Sequence, residues 1–234
     1  MFFSFKLKPI ICFVLVVVVG AICSALLVNS IKGTNANSVI NYTIVLDAGH
    51  GGTDGGCVGV NSGITEAEIN LSVTKQLEKL LTSYGFNVVL TRHDSGGLYS
   101  FGANNNKLSD MQNRKTIIEK SNANMVVSIH MNSYVDNSEC GAQTFYLVND
   151  QQSKMLADEI QAELQNKLPN ARSASNFADL YILKCINSPS VVVEGGFLSN
   201  IKEEKLLIDA QYQSKLAYSI FCGILKYYQK ASKL

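Results

Sequence analysis

The sequence predicts an α/β domain in which helices flank a mostly parallel central sheet. Two observations support this fold class. Short runs of β-branched residues alternate along the chain with longer segments in which apolar residues recur every three or four positions. Several of the short runs stop at a glycine or a polar residue, as strands do when they lead into the loops at the edge of a parallel sheet.

The strand and helix boundaries follow from where each pattern begins and ends. Apolar runs predict strands at 42–46, 87–91, 125–129, 143–148, 180–183 and 191–193. Helical spacing predicts helices at 65–84, 108–121, 150–168 and 209–228. The first helix has Ile69 and Val73 on its apolar face and stops at Gly85. The second is expected to begin with a capping box of Ser109 and Gln112.

The amino-terminal segment differs from the rest of the chain. Residues 10–28 form an uncharged apolar run after Lys6 and Lys8, long enough to cross a bilayer as a helix. We therefore expect a membrane anchor or signal helix at 1–28, and its cleavage as a signal peptide is the alternative. With the lysines on the cytoplasmic side, the remainder of the chain is extracytoplasmic. The polar stretch 29–41 is expected to be a linker.

The composition limits the classes of function. The 234 residues carry a formal net charge of +1 and no block of like charges, so nothing predicts a nucleic acid as partner. Apolar residues make up 47% of the chain, which indicates one folded domain over 42–230. Beyond the apolar run, the cysteines form no CxxC pair; we expect free thiols, with disulfides as the alternative, at Cys57, Cys140, Cys185 and Cys222.

Two of the three histidines and one glutamate stand at the ends of predicted strands. His50 lies in a glycine-rich turn after the first strand, His130 follows the third, and Glu194 follows the last. Because the carboxyl ends of parallel strands lie at one edge of a sheet, these side chains are expected to converge. Two histidines and one carboxylate suffice for a catalytic zinc site with an open position for water.

Glu66 and Glu68 compete for the role of carboxylate ligand. Thr65 and Glu68 have the spacing of a capping box, in which the glutamate folds back onto the start of its helix. Glu66 is then free to point towards His50, so it is the predicted ligand. The alternative for Glu66 is simple compensation of the helix dipole by an acidic residue in the first turn.

Glu194 follows three β-branched residues and precedes two glycines. A carboxylate in such apolar surroundings must be paired, bound to a metal or catalytic, because its burial alone is costly. Near a zinc ion it would move a proton between water and a leaving nitrogen. The alternative is a buried ion pair between Glu194 and an arginine.

Three further polar residues are considered as site residues. His93 follows a polar pair without glycines around it, so it is interpreted as a loop histidine. Arg92 and Arg114 are candidates for binding a carboxylate of the substrate. They are at least as well placed in the sequence to pair with Asp94 or Asp110.

Taken together, the motifs resemble those of the zinc-dependent N-acetylmuramoyl-L-alanine amidases, over nearly all of 42–230. In chain order they are Asp47-Ala48-Gly49-His50-Gly51-Gly52, Glu66-Ala67-Glu68-Ile69-Asn70-Leu71, Thr91-Arg92, Arg114, Ser128-Ile129-His130-Met131-Asn132-Ser133 and Val193-Glu194-Gly195-Gly196-Phe197-Leu198-Ser199-Asn200. The resemblance implies that one Zn²⁺ is bound by His50, Glu66 and His130, and that Glu194 is the catalytic carboxylate. It implies hydrolysis of the amide between the lactyl group of muramic acid and the first alanine of a peptidoglycan stem peptide. Asn132 joins Arg92 and Arg114 as a candidate substrate-binding residue.

The arrangement of a single catalytic domain behind a membrane segment resembles, within this family, the spore-cortex amidases of germination. That resemblance implies a role in forming muramic-δ-lactam, and an enzyme without a wall-binding module is expected to need a protein partner for targeting or activation. Departures such as Ala48, Ala67 and Met131 remove no ligand. Two alternatives are a catalytically silent peptidoglycan-binding protein and a metallopeptidase of related fold.

Overall fold

The computed structural model describes residues 40–184 and 187–233. Within these residues the chain alternates strands and helices around one sheet, as the sequence predicts. In chain order the elements are β1 (Ile40–Ala48), α1 (Glu66–Tyr84), β2 (Phe86–Leu90), α2 (Asn106–Lys120), β3 (Met125–Asn132), β4 (Gln143–Tyr146), α3 (Gln151–Lys167), β5 (Asn176–Phe177), a 3-10 helix (Tyr181–Lys184), β6 (Ser190–Phe197), α4 (Ile201–Leu207) and α5 (Ala210–Ala231).

The sheet has the strand order β2-β1-β3-β6-β4-β5. Strands β2, β1, β3 and β6 run parallel to one another, and β4 is antiparallel to β6. The predicted mostly parallel sheet is confirmed. Because β1, β3 and β6 are neighbours with the same direction, their carboxyl ends meet at one edge.

Side chains along the strands alternate between two layers, and this decides where the polar residues point. Ile44 and Leu46 of β1 join the large core beneath α1, α3 and α5, whereas Val45 joins a smaller core beneath α2 and the 3-10 helix. Val126 of β3 and Val192 of β6 also belong to the smaller core. Because side chains alternate along a strand, residues two or four positions after Val45, Val126 and Val192 lie on the same face, which α2 covers. These residues are Asp47, Ser128, His130 and Glu194.

Four elements differ from the predictions in type, in start or in not being predicted. The segment 180–183, predicted as a strand, contributes to a 3-10 helix that packs Ile182 and Leu183 into the smaller core. Helix α2 begins earlier than predicted because the side chain of Asn105, and not that of Ser109, caps it by accepting the N–H of Leu108 at 3.0 Å. Helix α4 and the two-residue β5 were not predicted; both are short, so their patterns are weak.

The predicted anchor or signal helix at 1–28 lies outside the described residues, and so does most of the linker at 29–41. The last two positions of that linker, Ile40 and Asn41, are instead the first residues of β1. In the described part of the chain, no helix is both long enough and apolar enough to cross a membrane. Cys57, Cys140 and Cys222 are free thiols, as predicted, while Cys185 lies outside the described residues.

Helices α3 and α5 pack as closely as a glycine allows, which gives a direct test of the fold. A Cβ atom added at Gly223 would lie 2.5 Å from the Cα of Ile160 and 2.8 Å from its backbone nitrogen. Gly223→Ala should therefore lower the free energy of unfolding by about 1–3 kcal/mol, although alanine favours an isolated helix. Urea unfolding measures this difference. The exposed Lys215→Ala in the same helix is the matched control and should stay within about 0.5 kcal/mol of the parent. Equal stability of the two variants would contradict this packing.

Candidate metal centre and active site

The turn after β1 presents His50 from an uncommon backbone conformation. His50 has φ 60°, in the left-handed region that few residues other than glycine adopt. Gly49 precedes it, and a Cβ added there would lie 2.2 Å from Cε1 of the His130 ring. A side chain at position 49 would therefore push the two imidazoles apart. The glycine-rich motif brings His50 and His130 to the same side of the turn.

Glu66 is held at the start of α1 by donors from three parts of the chain. Its Oε2 accepts the N–H of Cys57 at 3.0 Å, and its Oε1 accepts the N–H of Met131 at 3.2 Å and Nδ2 of Asn70 at 3.2 Å. The neighbouring Glu68 accepts the Thr65 N–H at 2.9 Å and so completes the predicted capping box. Glu66 is the glutamate that turns inwards.

The structure brings His50, Glu66 and His130 together. One candidate ligand atom from each lies within 4.8 Å of the others, the arrangement expected of a metal-binding cluster. Oε1 of Glu66 lies 2.8 Å from Nδ1 of His130, and Oε2 lies 3.3 Å from Nε2 of His50. The imidazoles are 21% and 24% exposed whereas Glu66 is 5% exposed, so the cluster is open on the histidine side. Two imidazoles, one carboxylate and an open side fit a catalytic zinc ion.

Asp54 fixes the orientation of His50, and the sequence analysis did not single it out. Its Oδ2 lies 2.9 Å from Nδ1 of His50, which leaves Nε2 directed at Glu66. A carboxylate on the far nitrogen of a histidine is a common partner of metal-binding imidazoles because it sets the tautomer. The position of Asp54 four residues after His50, in the same glycine-rich loop, was the available signal.

The surroundings of the cluster raise the pKa values of both histidines and lower that of Glu66. Burial alone would lower the pKa of His50, but hydrogen bonding to Glu66 and the charge of Glu66 outweigh it and raise this pKa to about 9. Burial alone would raise the pKa of Glu66, and its hydrogen bonds with the two imidazoles instead lower it. A metal ion that enters the cluster must therefore displace protons from the imidazoles.

Glu194 lies beside this cluster, and among the described residues it forms no ion pair with an arginine, because Arg114 pairs with Asp47 and Asp110 and Arg172 pairs with Glu139. Glu194 is the register partner of His130 between β6 and β3, and both residues line one cavity of about 220 Å³ with His50. Its Oε2 is buried and has no hydrogen-bond partner among the described residues. Burial raises the pKa of Glu194 to about 7, and the charge of His130 opposes this rise. The strands extend beyond both residues, to Asn132 and Phe197, and do not end at them as predicted.

Arg92 does not fit the predicted contact with substrate. It is 3% exposed, and every guanidinium nitrogen donates to a backbone carbonyl. Nε donates to Ala48 at 2.9 Å, while Nη2 donates to Gly49 at 3.0 Å and to Ala67 at 2.8 Å. Nη1 reaches Asp94 only through that residue's carbonyl, at 2.8 Å. We therefore propose that Arg92 supports the turn that carries His50.

Arg114 is likewise occupied, although it borders the cavity. It forms ion pairs with Asp47 at 2.6 Å and with Asp110 at 2.5 Å. The pairing of an arginine with Asp110, which the sequence offered as the alternative to substrate binding, is therefore present. Nη1 also donates to the carbonyl of Ala48 and Nη2 to that of His50, at 2.7 and 2.6 Å. Four of its five N–H donors are bonded to the protein, so we propose for Arg114 the same supporting role in place of substrate binding.

Asn132 and His93 lie outside the cavity around the cluster. The side chain of Asn132 accepts the N–H of Ser133 at 2.8 Å, and its carbonyl accepts that of Leu198 at 2.8 Å. His93 is exposed in the loop after β2, as the sequence predicts. The cavity instead contains residues that sequence reasoning missed. These are Asp54, Lys107, Asp110, Met111, Leu180, Tyr181 and Ile182.

Comparison with known proteins decides the family. The family model of N-acetylmuramoyl-L-alanine amidase matches residues 44–226, a range that contains the whole cluster and Glu194. The chain belongs to the N-acetylmuramoyl-L-alanine amidase family. It is therefore a hydrolase, as the resemblance implied.

Individual amidases support the same assignment. The germination-specific N-acetylmuramoyl-L-alanine amidase of Bacillus subtilis is 35% identical over 189 residues, covering 79% of this chain and 79% of that one. The structure of the CwlD amidase from Clostridioides difficile, in complex with the GerS lipoprotein, is 45% identical with a TM-score of 0.78, covering 81% of this chain and 99% of that one. The catalytic domain of CwlV from Bacillus (Paenibacillus) polymyxa var. colistinus is 30% identical with a TM-score of 0.71. The match covers 80% of this chain and 98% of that one.

The ion pair between Asp47 and Arg114 makes a prediction about stability and pH in this amidase. Burial alone would raise the pKa of Asp47, but Arg114 and the hydroxyls of Ser128 and Thr91 lower it to about 2. Its stabilising contribution is complete above the unfolded pKa, near 3.8, and is lost as the pH falls through about 2. Asp47→Asn should lower the free energy of unfolding by about 3–5 kcal/mol at pH 7.

The difference in the free energy of unfolding between the parent and Asp47→Asn should become smaller by about 2 kcal/mol as the pH falls from 4 to 2. Urea unfolding at each pH measures this difference. Asp179→Asn is the matched control, because Asp179 is 78% exposed. It should change the free energy of unfolding by less than about 0.5 kcal/mol. A pH-independent loss in Asp47→Asn would contradict the assigned charge state.

Proposed function

We propose that this protein is a zinc-dependent amidase that removes stem peptides from peptidoglycan. The bond hydrolysed would be the amide between the lactyl group of muramic acid and the first alanine of the peptide. One observation carries the proposal: the cluster of His50, Glu66 and His130 shares a cavity with Glu194, whose buried Oε2 has no partner among the described residues. An unpartnered carboxylate beside a metal-type cluster is typical of hydrolytic sites.

His50, Glu66 and His130 would hold the zinc ion. The chemistry that zinc supplies at such a site is Lewis acidity, which polarises the amide carbonyl and makes water more acidic. The protein contributes the orientation of its ligands. Asp54 leaves Nε2 of His50 available, and the N–H groups of Cys57 and Met131 hold the Glu66 carboxylate in place.

Glu194 would act as general base and then as general acid. Its pKa of about 7 leaves comparable fractions of carboxylate and carboxylic acid near neutral pH, which is where proton transfer in both directions is most efficient. The free Oε2 is the atom available to accept a proton from the attacking water and to return it to the departing amino group. Strand β6 fixes the backbone of Glu194 next to His130, so the two groups cannot drift apart.

We extend the proposal to the location of this protein in the cell and to a protein partner. The similarity to a germination-specific amidase supports a role in the spore cortex, where removal of stem peptides allows muramic-δ-lactam to form. The apolar run at 10–28 supports anchoring to the membrane with the catalytic domain on the extracytoplasmic side. The related CwlD amidase has been solved in complex with the GerS lipoprotein, which supports a protein partner for this chain as well.

The choice between the two glutamates at the start of α1 can be tested by metal binding. Glu66→Gln should weaken zinc binding by about 100-fold or more, because it removes the only carboxylate of the ligand set. Competition with a chromophoric chelator measures the affinity. Glu68→Gln is the matched control, since it changes the same group two residues away, and its zinc affinity should equal that of the parent. Equal affinities in all three proteins would exclude the proposed ligand set.

Glu194→Gln separates catalysis from metal binding. We expect this variant to fold and to bind zinc like the parent, and to lose at least about 100-fold in kcat because the proton carrier is gone. The assay digests purified peptidoglycan and identifies soluble fragments by mass spectrometry. Retained turnover in Glu194→Gln would refute the proton-transfer role.

The same digestion separates the three candidate functions. Free stem peptides with an amino-terminal alanine support the amidase, and treatment with a chelator should abolish their release. Fragments cut within the peptide would instead identify a metallopeptidase. Binding of peptidoglycan without release of any fragment would identify a catalytically silent wall-binding protein.

A further inference from the structure

The cleft does not end at the cluster. The cavity that contains His50 and Glu194 shares Asp54, Lys107 and Asp110 with a second cavity of about 210 Å³. The second cavity is also lined by Gly51, Thr53, Tyr99 and Asn106, and neither His50 nor Glu194 lines it. Two adjoining cavities of this kind have room for more of the substrate than the scissile amide.

Tyr99 forms part of the wall of the second cavity, and it belongs to the glycine- and asparagine-rich segment 95–105, which precedes α2. The first part of this segment is fixed by hydrogen bonds at Ser95 and Leu98. The N–H of Leu98 donates to Oδ1 of Asp110 at 2.6 Å, and the N–H of Gly52 donates to the carbonyl of Ser95 at 2.8 Å. The second of these contacts joins the wall directly to the turn that carries His50. The wall therefore has a defined position relative to the reaction site.

The two carboxylates that line this second cavity each have a close partner, and Lys107 acts on Asp54 only through its charge, without an ion pair. Asp110 pairs with Arg114 at 2.5 Å. Asp54 lies 2.9 Å from Nδ1 of His50 and accepts the N–H of Gly56 at 3.1 Å. Lys107 is exposed, and the structure gives its ammonium group neither a hydrogen bond nor an ion pair with a described residue.

Lys107 is also the one cation among the described residues that line the second cavity. The carboxylates of that cavity have closer partners in His50 and Arg114, so the ammonium group of Lys107 is available to an anion from a ligand. An ammonium group on a flexible stem adapts readily to a carboxylate. The peptide part of the substrate carries carboxylates, whereas the N-acetylated sugars are neutral once the lactyl carboxyl is in its amide.

We propose that the second cavity is the subsite for the peptide part of the substrate, and that Lys107 binds a carboxylate there. This inference rests on the proposed function and adds to it a direction for the substrate in the cleft. It also gives the segment 95–105 a role, as the wall of the peptide subsite. Lys107 acts in binding and lies outside the proton-transfer machinery, so it should affect KM more than kcat.

The test compares Lys107→Gln with the parent on two synthetic muramoyl tripeptides. One substrate has free peptide carboxylates, and in the other every peptide carboxylate is a carboxamide. Loss of one charge-assisted contact should raise KM for the acidic substrate about tenfold, equivalent to about 1.4 kcal/mol, with kcat within about twofold. On the amidated substrate the two enzymes should agree within about twofold. Lys120→Gln, an exposed substitution at the other end of α2, is the matched control and should leave both substrates unaffected.

Each outcome is decisive, because Lys107 is exposed and its substitution should not affect folding. Equal losses on the two substrates, or no loss on either, would overturn the assignment of Lys107. Turnover by the parent enzyme reports separately on the proposed function. If the parent cleaves neither substrate, that function fails. Calorimetric affinities of both compounds for parent and Lys107→Gln then still decide whether Lys107 recognises a carboxylate.

Discussion

Two buried guanidinium groups hold the turn that presents the first histidine, and the rest of the site depends on this contact. Arg92 and Arg114 together bind the carbonyls of Ala48, Gly49 and His50. The turn needs such support because His50 adopts a left-handed conformation, which costs a residue with a Cβ about 1–2 kcal/mol. These contacts, which we call the arginine clamp, hold the backbone of residues 48–50 where the imidazole of His50 faces Glu66.

The arginine clamp has its own electrostatic requirement. A guanidinium that leaves water needs a compensating charge, and Arg114 obtains it from Asp47 on β1 and from Asp110 on its own helix. Asp47 points to the α2 side because it lies two residues after Val45, which packs into the smaller core. The same alternation directs His130 and Glu194 to that side. One face of the sheet thus carries Asp47, which pairs with Arg114, together with the proposed metal ligand His130 and the proposed catalytic carboxylate of Glu194.

The sequence predicted the cluster well because local rules determined its parts. The capping box of Thr65 and Glu68 left Glu66 as the inward carboxylate, and the structure has both features. The neighbouring parallel strands β1, β3 and β6 then brought residues from distant parts of the chain to one edge. These inferences needed only the spacing of residues within single elements and the general geometry of parallel sheets.

Other features of the site depend on how far a side chain reaches and how deeply it is buried, which the sequence does not give. Arg92 and Arg114 have long side chains, so their partners depend on the three-dimensional positions of loops, and no spacing in the sequence encodes these. The run 180–183 is too short for periodicity to separate a strand from a 3-10 turn. Lys107 gave no signal because an exposed lysine at the start of a helix is common. Its meaning came from the cleft that it borders.

Hydrolysis at this site should break the amide between the lactyl group and alanine. The most direct measurement is digestion of purified peptidoglycan in water enriched in ¹⁸O, followed by mass spectrometry of both products. We predict that one ¹⁸O atom enters the lactyl carboxylate of the glycan, and that the peptide departs unlabelled with a free amino-terminal alanine. Label in a carboxylate of the peptide, with the lactyl group unlabelled, would contradict the account.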